Sequence, residues 1–140
     1  LILFEGLSFM KSSLHKNSKI IILDDEASVA EFTSITLSEL GFQNIEVYSS
    51  VKQCIERIRV TKADLLFFDI NLHDIDGLVL LGWVKAKQPN ATVVMFSGDT
   101  REDFVKEASQ LGAAGFLSKF ELDKNIRKLL NKWHVNYPLK

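Results

Sequence analysis

The chain has 140 residues, 46% hydrophobic and 25% charged, with a formal net charge of −1. That balance describes one globular domain with a real core and excludes a disordered chain. Near-neutrality gives no general attraction to nucleic acid or anionic membrane, so electrostatic function must rest on local placement of charge.

Cys54 is the single cysteine, which excludes an internal disulfide and a cysteine-based metal cage. It shares a helical stripe with Ile55 and Ile58 and reads as a buried small hydrophobe. Together with the lack of an apolar run long enough to cross a bilayer, this points to a cytoplasmic protein. Leu1-Ile2-Leu3-Phe4 is broken by Glu5 and has no basic region before it, so it is not read as a secretory signal.

Residues 1–18 show no clear period and are set apart as a leader: a vector-derived remnant, upstream sequence or a short docking helix. Regular alternation begins at Lys19. Ile20-Ile21-Ile22-Leu23 is a β-branched run ending in Asp24-Asp25-Glu26. Ala27 to Leu40 is predicted helical, with Val29, Phe32, Leu37 and Leu40 on one face and Gly41 as a C-terminal cap. A strand over Ile45–Ser49 and a helix over Val51–Val60 follow. Leu65-Leu66-Phe67-Phe68-Asp69 is an unbroken apolar run ending in a carboxylate, the mark of a strand buried on both faces.

Next come a polar loop through Asp76-Gly77 and a helix from Leu78 to about Lys87. Pro89-Asn90 marks a turn. Thr92–Ser97 is a fourth strand, Arg101–Leu111 a helix closed by Gly112, and Gly115–Ser118 a brief fifth strand leading into Lys119. In the last helix Leu122, Ile126, Leu129 and Trp133 form an amphipathic stripe. Residues 19–134 thus read as one domain and 135–140 as a tail. The predicted fold is α/β, a flavodoxin-like five-stranded parallel sheet of order 2-1-3-4-5 with helices on both faces.

In that order the first and third strands meet at the switch point, where such sheets bind ligands. Asp24, Asp25 and Asp69 converge there, with Ser97 and Lys119 at the ends of the adjacent strands. Singly, each has a plainer reading: an acidic helix start, a turn hydroxyl, a solvated lysine. Jointly they constrain the chemistry. Three crowded carboxylates need a proton or a cation, and an all-oxygen site with room for water suits Mg²⁺. Next to that metal, a lysine and a hydroxyl, a carboxylate can accept a phosphoryl group.

These residues resemble the receiver domains of two-component response regulators over about Lys19 to Trp133. The resemblance is carried by Asp24-Asp25-Glu26, by Asp69 through Asp76-Gly77, by Phe96-Ser97-Gly98, and by Gly112 through Phe116 and Lys119. It implies Asp69 as phosphoacceptor, supplied by a histidine kinase or a histidine phosphotransfer protein. It implies Mg²⁺ bound by Asp25 and Asp69 directly, by Asp24 through a water, and by the backbone carbonyl of Asn71. Lys119 and Ser97 would hold the phosphoryl group and Phe116 would be the switch aromatic. Output would pass through the face of the fourth helix, fifth strand and fifth helix, to an appended output domain or a homodimer partner. Such a domain turns over no substrate beyond its own Asp69, and direct nucleic-acid or membrane binding is not expected. Asn71 and Asp99 stand where such domains tune the lifetime of the aspartyl phosphate.

Two departures from the family stand out. Phe120 replaces the usual Pro after the lysine, which predicts a differently shaped loop, and His73 replaces a common Pro after the acceptor. A receiver-like interaction module that works without phosphorylation is the alternative reading. Flavodoxin-like electron transfer and haloacid-type phosphatase chemistry are disfavoured. The acidic triplet would repel a flavin phosphate, and it lacks the Asp-x-Asp pair of such phosphatases.

Overall fold

The computed structural model describes residues 2–4, 14–99, 101–133, 135 and 139. The strands are β1 (Ile2–Leu3), β2 (Lys19–Leu23), β3 (Asn44–Tyr48), β4 (Leu65–Asp69), β5 (Thr92–Ser97) and β6 (Gly115–Ser118). The helices among the described residues are α1 (Ala27–Glu39), α2 (Val51–Val60), α3 (Gly77–Lys87), α4 (Glu102–Gln110) and α5 (Leu122–Lys132). The sheet order is β1-β6-β5-β4-β2-β3. Leaving β1 aside, the five parallel strands follow the predicted order 2-1-3-4-5.

Strand alternation sorts the core into two layers. Ile21, Leu23, Leu66, Phe68, Val93, Met95 and Phe116 face one way, against α2, α3 and α4. Ile20, Ile22, Leu65, Phe67, Val94, Phe96 and Leu117 face the other, against α1 and α5. This is the period-two logic of a sheet covered on both sides. Every residue of β4 is buried, Asp69 included, as is every residue of β5, so the acceptor candidate ends a fully enclosed strand. Cys54 is fully buried, and burial pushes its thiol up to about 12, which leaves it an inert packing group.

Helix boundaries follow local chemistry. The Ser50 hydroxyl accepts from Gln53 N and the Asp76 carboxylate from Leu78 N, capping α2 and α3. Gly41 and Gly112 adopt φ of 106° and 96° after α1 and α4, as their predicted roles as caps require.

The face expected of the first helix needs correction. Its buried residues are Ala30, Thr33, Thr36 and Leu37, whereas Phe32 is 46% exposed. Small side chains let the helix lie close to its neighbours, and Thr33 satisfies its hydroxyl on the Val29 carbonyl at 2.9 Å. Apolar spacing alone placed the larger Phe32 inward.

The leader also differs from expectation at its start. Ile2 and Leu3 form β1, antiparallel to β6, with Ile2 opposite Phe116 and Leu3 opposite Gly115. A two-residue strand carries no period, so the sequence pattern could not show it. The docking-helix alternative for residues 1–18 falls mainly on 5–13, outside the described residues, and Pro138 of the tail lies outside them too. Among the described residues, no helix is long and apolar enough to cross a membrane.

Candidate functional site

Register brings the site together. Leu23 pairs with Phe68, so Asp24, the next residue, stands level with Asp69 at the switch between β2 and β4. Asp69 pairs with Phe96 and Ser97 with Ser118, which sets Ser97 and Lys119 at the same edge. The Lys119 N–H donates to the Ser97 carbonyl at 2.9 Å and fixes the start of its loop.

Lys119 is the hub. Its Nζ lies 2.8 Å from Asp24 Oδ2 and 3.2 Å from Asp69 Oδ2. Asp24 and Asp69 are both buried, at 0% and 2% exposure. The remaining oxygens bend back onto the main chain: Asp24 Oδ1 accepts from Glu26 N at 2.8 Å, and Asp69 Oδ1 from Asn71 N at 3.1 Å. Asp24 Oδ2 faces the ammonium but finds no hydrogen bond of proper direction, and among the described residues it is the buried side-chain oxygen left without one.

Burial, and then the charge of Asp24, raise Asp69 to about 6; Asn71 N–H and Lys119 oppose the rise. Burial works against the Lys119 charge, yet the Asp24 and Asp69 carboxylates hold its ammonium above the ordinary value. Ionised Asp69 therefore costs stability. The native state favours the protonated form, so stability falls as pH rises from the unfolded value near 4 through about 6, then levels off. Asp69→Asn should accordingly be more stable than the parent at pH 7.5 by roughly 1–3 kcal/mol, with the gain gone by about pH 4. Urea unfolding at both pH values without divalent cations measures it; an equal gain at both would refute the electrostatic account.

Asp25 sits at the rim. It accepts from the His73 main-chain N–H, with His73 Nδ1 3.4 Å away. Sequence reasoning noted His73 only as a missing proline; a proline there would have no N–H to donate. Ser97 is fully buried, and its Oγ accepts from Asp99 N at 3.0 Å. The Asp99 carboxylate is engaged by Arg101, with Nε 2.9 Å away. Phe116 is buried in the core, beside β1.

Phe120 gives the lysine loop its own shape. Its N–H donates to Ser118 Oγ at 3.1 Å, which a proline could not do. Asn125 Nδ2 then donates to the carbonyls of Ser118 and Phe120 at 3.1 and 3.0 Å. Glu121 follows with φ of 55°, and Phe120 itself is 80% exposed.

Whether the donor set suits Mg²⁺ can be judged from these contacts. Among the described residues no three acidic or imidazole side chains stand ready as a metal cage; Lys119 Nζ contacts both Asp24 and Asp69, and His73 contacts Asp25. The donors are nevertheless hard oxygens, on buried Asp24 and Asp69, and Asp24 Oδ2 is buried without a hydrogen-bond partner. That chemistry fits a cation that keeps most of its waters.

Sheet order, switch-point acids and an opposed lysine define a doubly wound α/β domain of the CheY-like class. The chain belongs to the response regulator receiver domain family, whose profile matches residues 20–131. It is similar to the protein-glutamate methylesterase/protein-glutamine glutaminase of Archaeoglobus fulgidus, 30% identical over 103 residues covering 72% of this chain and 29% of that protein. It is also similar to the transcriptional regulatory protein LytR of Staphylococcus aureus, 29% identical over 116 residues covering 81% and 46%. The chain thus spans less than half the length of these curated relatives.

Among solved structures it resembles the chemotaxis response regulator CheY4 of Vibrio cholerae, with TM-score 0.75 at 20% identity, covering 84% of this chain and 98% of that one. It also resembles a Burkholderia pseudomallei response regulator solved with a phosphorylated aspartic acid, a calcium ion and citrate. There the TM-score is 0.74 at 20% identity, covering 85% and 71%. At these identities the likeness shows the fold.

Proposed function

We propose that this receiver domain, taken as residues 19–134 between a leader and a tail, accepts a phosphoryl group on Asp69 from a phosphohistidine. The donor is a histidine kinase or a histidine phosphotransfer protein. The observation that carries this reading is the Lys119 ammonium held between buried Asp24 and Asp69. An Asp69 oxygen attacks phosphorus in line, a P–O bond forms, and the P–N bond to histidine breaks, its electron pair returning to the imidazole. Lys119 neutralises charge on the phosphoryl oxygens, and the Ser97 hydroxyl, whose own hydrogen is not used in accepting from Asp99 N, donates a hydrogen bond to the phosphoryl group. Mg²⁺, held by Asp25, Asp69, the Asn71 carbonyl and, through water, Asp24, would supply further positive charge.

Phosphorylation then shifts a two-state equilibrium through Ser97 and Phe116 to the face of α4, β6 and α5. An output domain or a homodimer partner reads that face, and the protein acts in the cytoplasm without turning over any other substrate. The presence of regulators such as LytR among the relatives supports this reading.

Incubation with Mg²⁺ and acetyl phosphate, followed by intact mass measurement, should give one phosphate adduct in the parent and none in Asp69→Asn. No adduct in the parent, or one undiminished in the variant, would remove the proposal.

A further inference from the structure

His73 meets Asp25 through two contacts of different kinds. Its main-chain N–H donates to Asp25 Oδ2, and any residue but proline could do the same. The imidazole belongs to this chain alone: its Nδ1 lies 3.4 Å from the same Oδ2, while the side chain is 87% exposed. As an ion pair, so exposed a contact contributes little to stability. As a donor atom at the rim of an acidic site, the same nitrogen has a second use.

The loop that carries His73 is fixed at three points. Asn71 and Asp76 form an antiparallel bridge, the Asp76 carboxylate accepts from Leu78 N, and the His73 N–H is held on Asp25. Only the side-chain torsions of the imidazole are left to settle, so little order has to be gained on binding. His73 lines a cleft of 680 Å³ together with Asn71, Glu26 and Phe104, which leaves room for a cation and its waters. Two donor atoms bound to one cation at roughly 2.0–2.2 Å stand about 3.0–3.5 Å apart, from the cis edge of an octahedron to the edge of a tetrahedron. The separation of Nδ1 from Oδ2 falls in that interval.

We propose that His73 Nδ1 is a further ligand of the cation held at Asp25, and that it turns the preference of the site from Mg²⁺ toward a transition-metal dication such as Ni²⁺, Co²⁺ or Zn²⁺. Nδ1 gives its lone pair to the metal and Nε2 keeps the ring proton. Asp25 supplies an oxygen, and the Asn71 carbonyl and water fill further positions. Imidazole nitrogen suits Mg²⁺ poorly, because that ion holds to oxygen and water, and suits the later first-row metals well. That a cation rests on Asp25 is taken from the phosphoacceptor reading; the pairing of His73 with Asp25 is not.

His73→Ala keeps the N–H on Asp25 and alters an exposed side chain, so it isolates the imidazole. Loss of even an outer-shell partner weakens metal binding about 10–100-fold, and loss of a ligand should do no less. Calorimetric titration of the full chain and of this variant should therefore show Ni²⁺ affinity at least about tenfold lower in the variant, with Mg²⁺ affinity within about twofold of the parent. In NMR spectra of the parent, paramagnetic Ni²⁺ should broaden the His73 ring protons before those of the other two histidines. Asp25→Ala should lose Ni²⁺ affinity as His73→Ala does. Equal Ni²⁺ affinity in the parent and either variant, an equal loss for both cations in His73→Ala, or first broadening at another histidine would overturn the proposal. A parent that binds Ni²⁺ through His73 and Asp25 but takes neither Mg²⁺ nor phosphate from acetyl phosphate would remove the phosphoacceptor reading and leave this one standing.

Discussion

Gly77→Ala should lower stability by about 3 kcal/mol or more, and the melting temperature by roughly 10 °C. A Cβ at this position would overlap the Asp69 carbonyl oxygen and stand 2.7 Å from Ile70 Cα and 2.9 Å from Ile70 O. All three are main-chain atoms, which no rotamer change can move. Gly77 N–H also donates to the Ile70 carbonyl at 2.9 Å, so α3 begins in direct contact with the backbone that carries the acceptor. Phosphate uptake from acetyl phosphate should therefore fall along with stability. An unchanged melting temperature would show that this approach yields easily.

Lys119→Met should be the second severe change. It keeps most of the side-chain volume and removes the charge facing two buried carboxylates. Leaving such a pair uncompensated costs roughly 3–5 kcal/mol at neutral pH. The deficit should shrink as pH falls through the range where Asp69, already raised to about 6, takes up a proton. Urea titrations of parent and variant from pH 7.5 down to about pH 4 would track it. A deficit independent of pH would assign the loss to packing instead. Adduct formation should be slowed in the variant even where it is folded, because the phosphoryl oxygens lose their cation.

Much of the site was legible because its residues sit at strand ends, and strand ends follow from apolar runs. Asp24, Asp69, Ser97 and Lys119 each close or follow such a run, and sheet order does the rest. What the sequence could not show depends on main-chain approach and on single contacts. Phe32 was placed inward because hydrophobicity ignores how near a helix must lie to its neighbours. His73 acts on Asp25 through a backbone N–H, which every residue except proline possesses. Gly77 is needed for space beside Asp69, whereas the sequence placed it only at the end of a polar loop. β1 is too short to have a period, and its partner lies more than a hundred residues away.

That separation bears on how the chain is assembled. Residues 2 and 3 pair with residues 116 and 115, so their strand cannot be laid down until synthesis has passed Phe116. Until then the segment waits on the ribosome as an unpaired apolar stretch, while β2 to β5 are already available to form a sheet. Contacts this distant in sequence are slow to close, and exposed apolar segments are where nascent chains associate wrongly. The last seam of the sheet to close joins residues made early to residues made late, and the interval before it closes is when the nascent chain is most open to other chains.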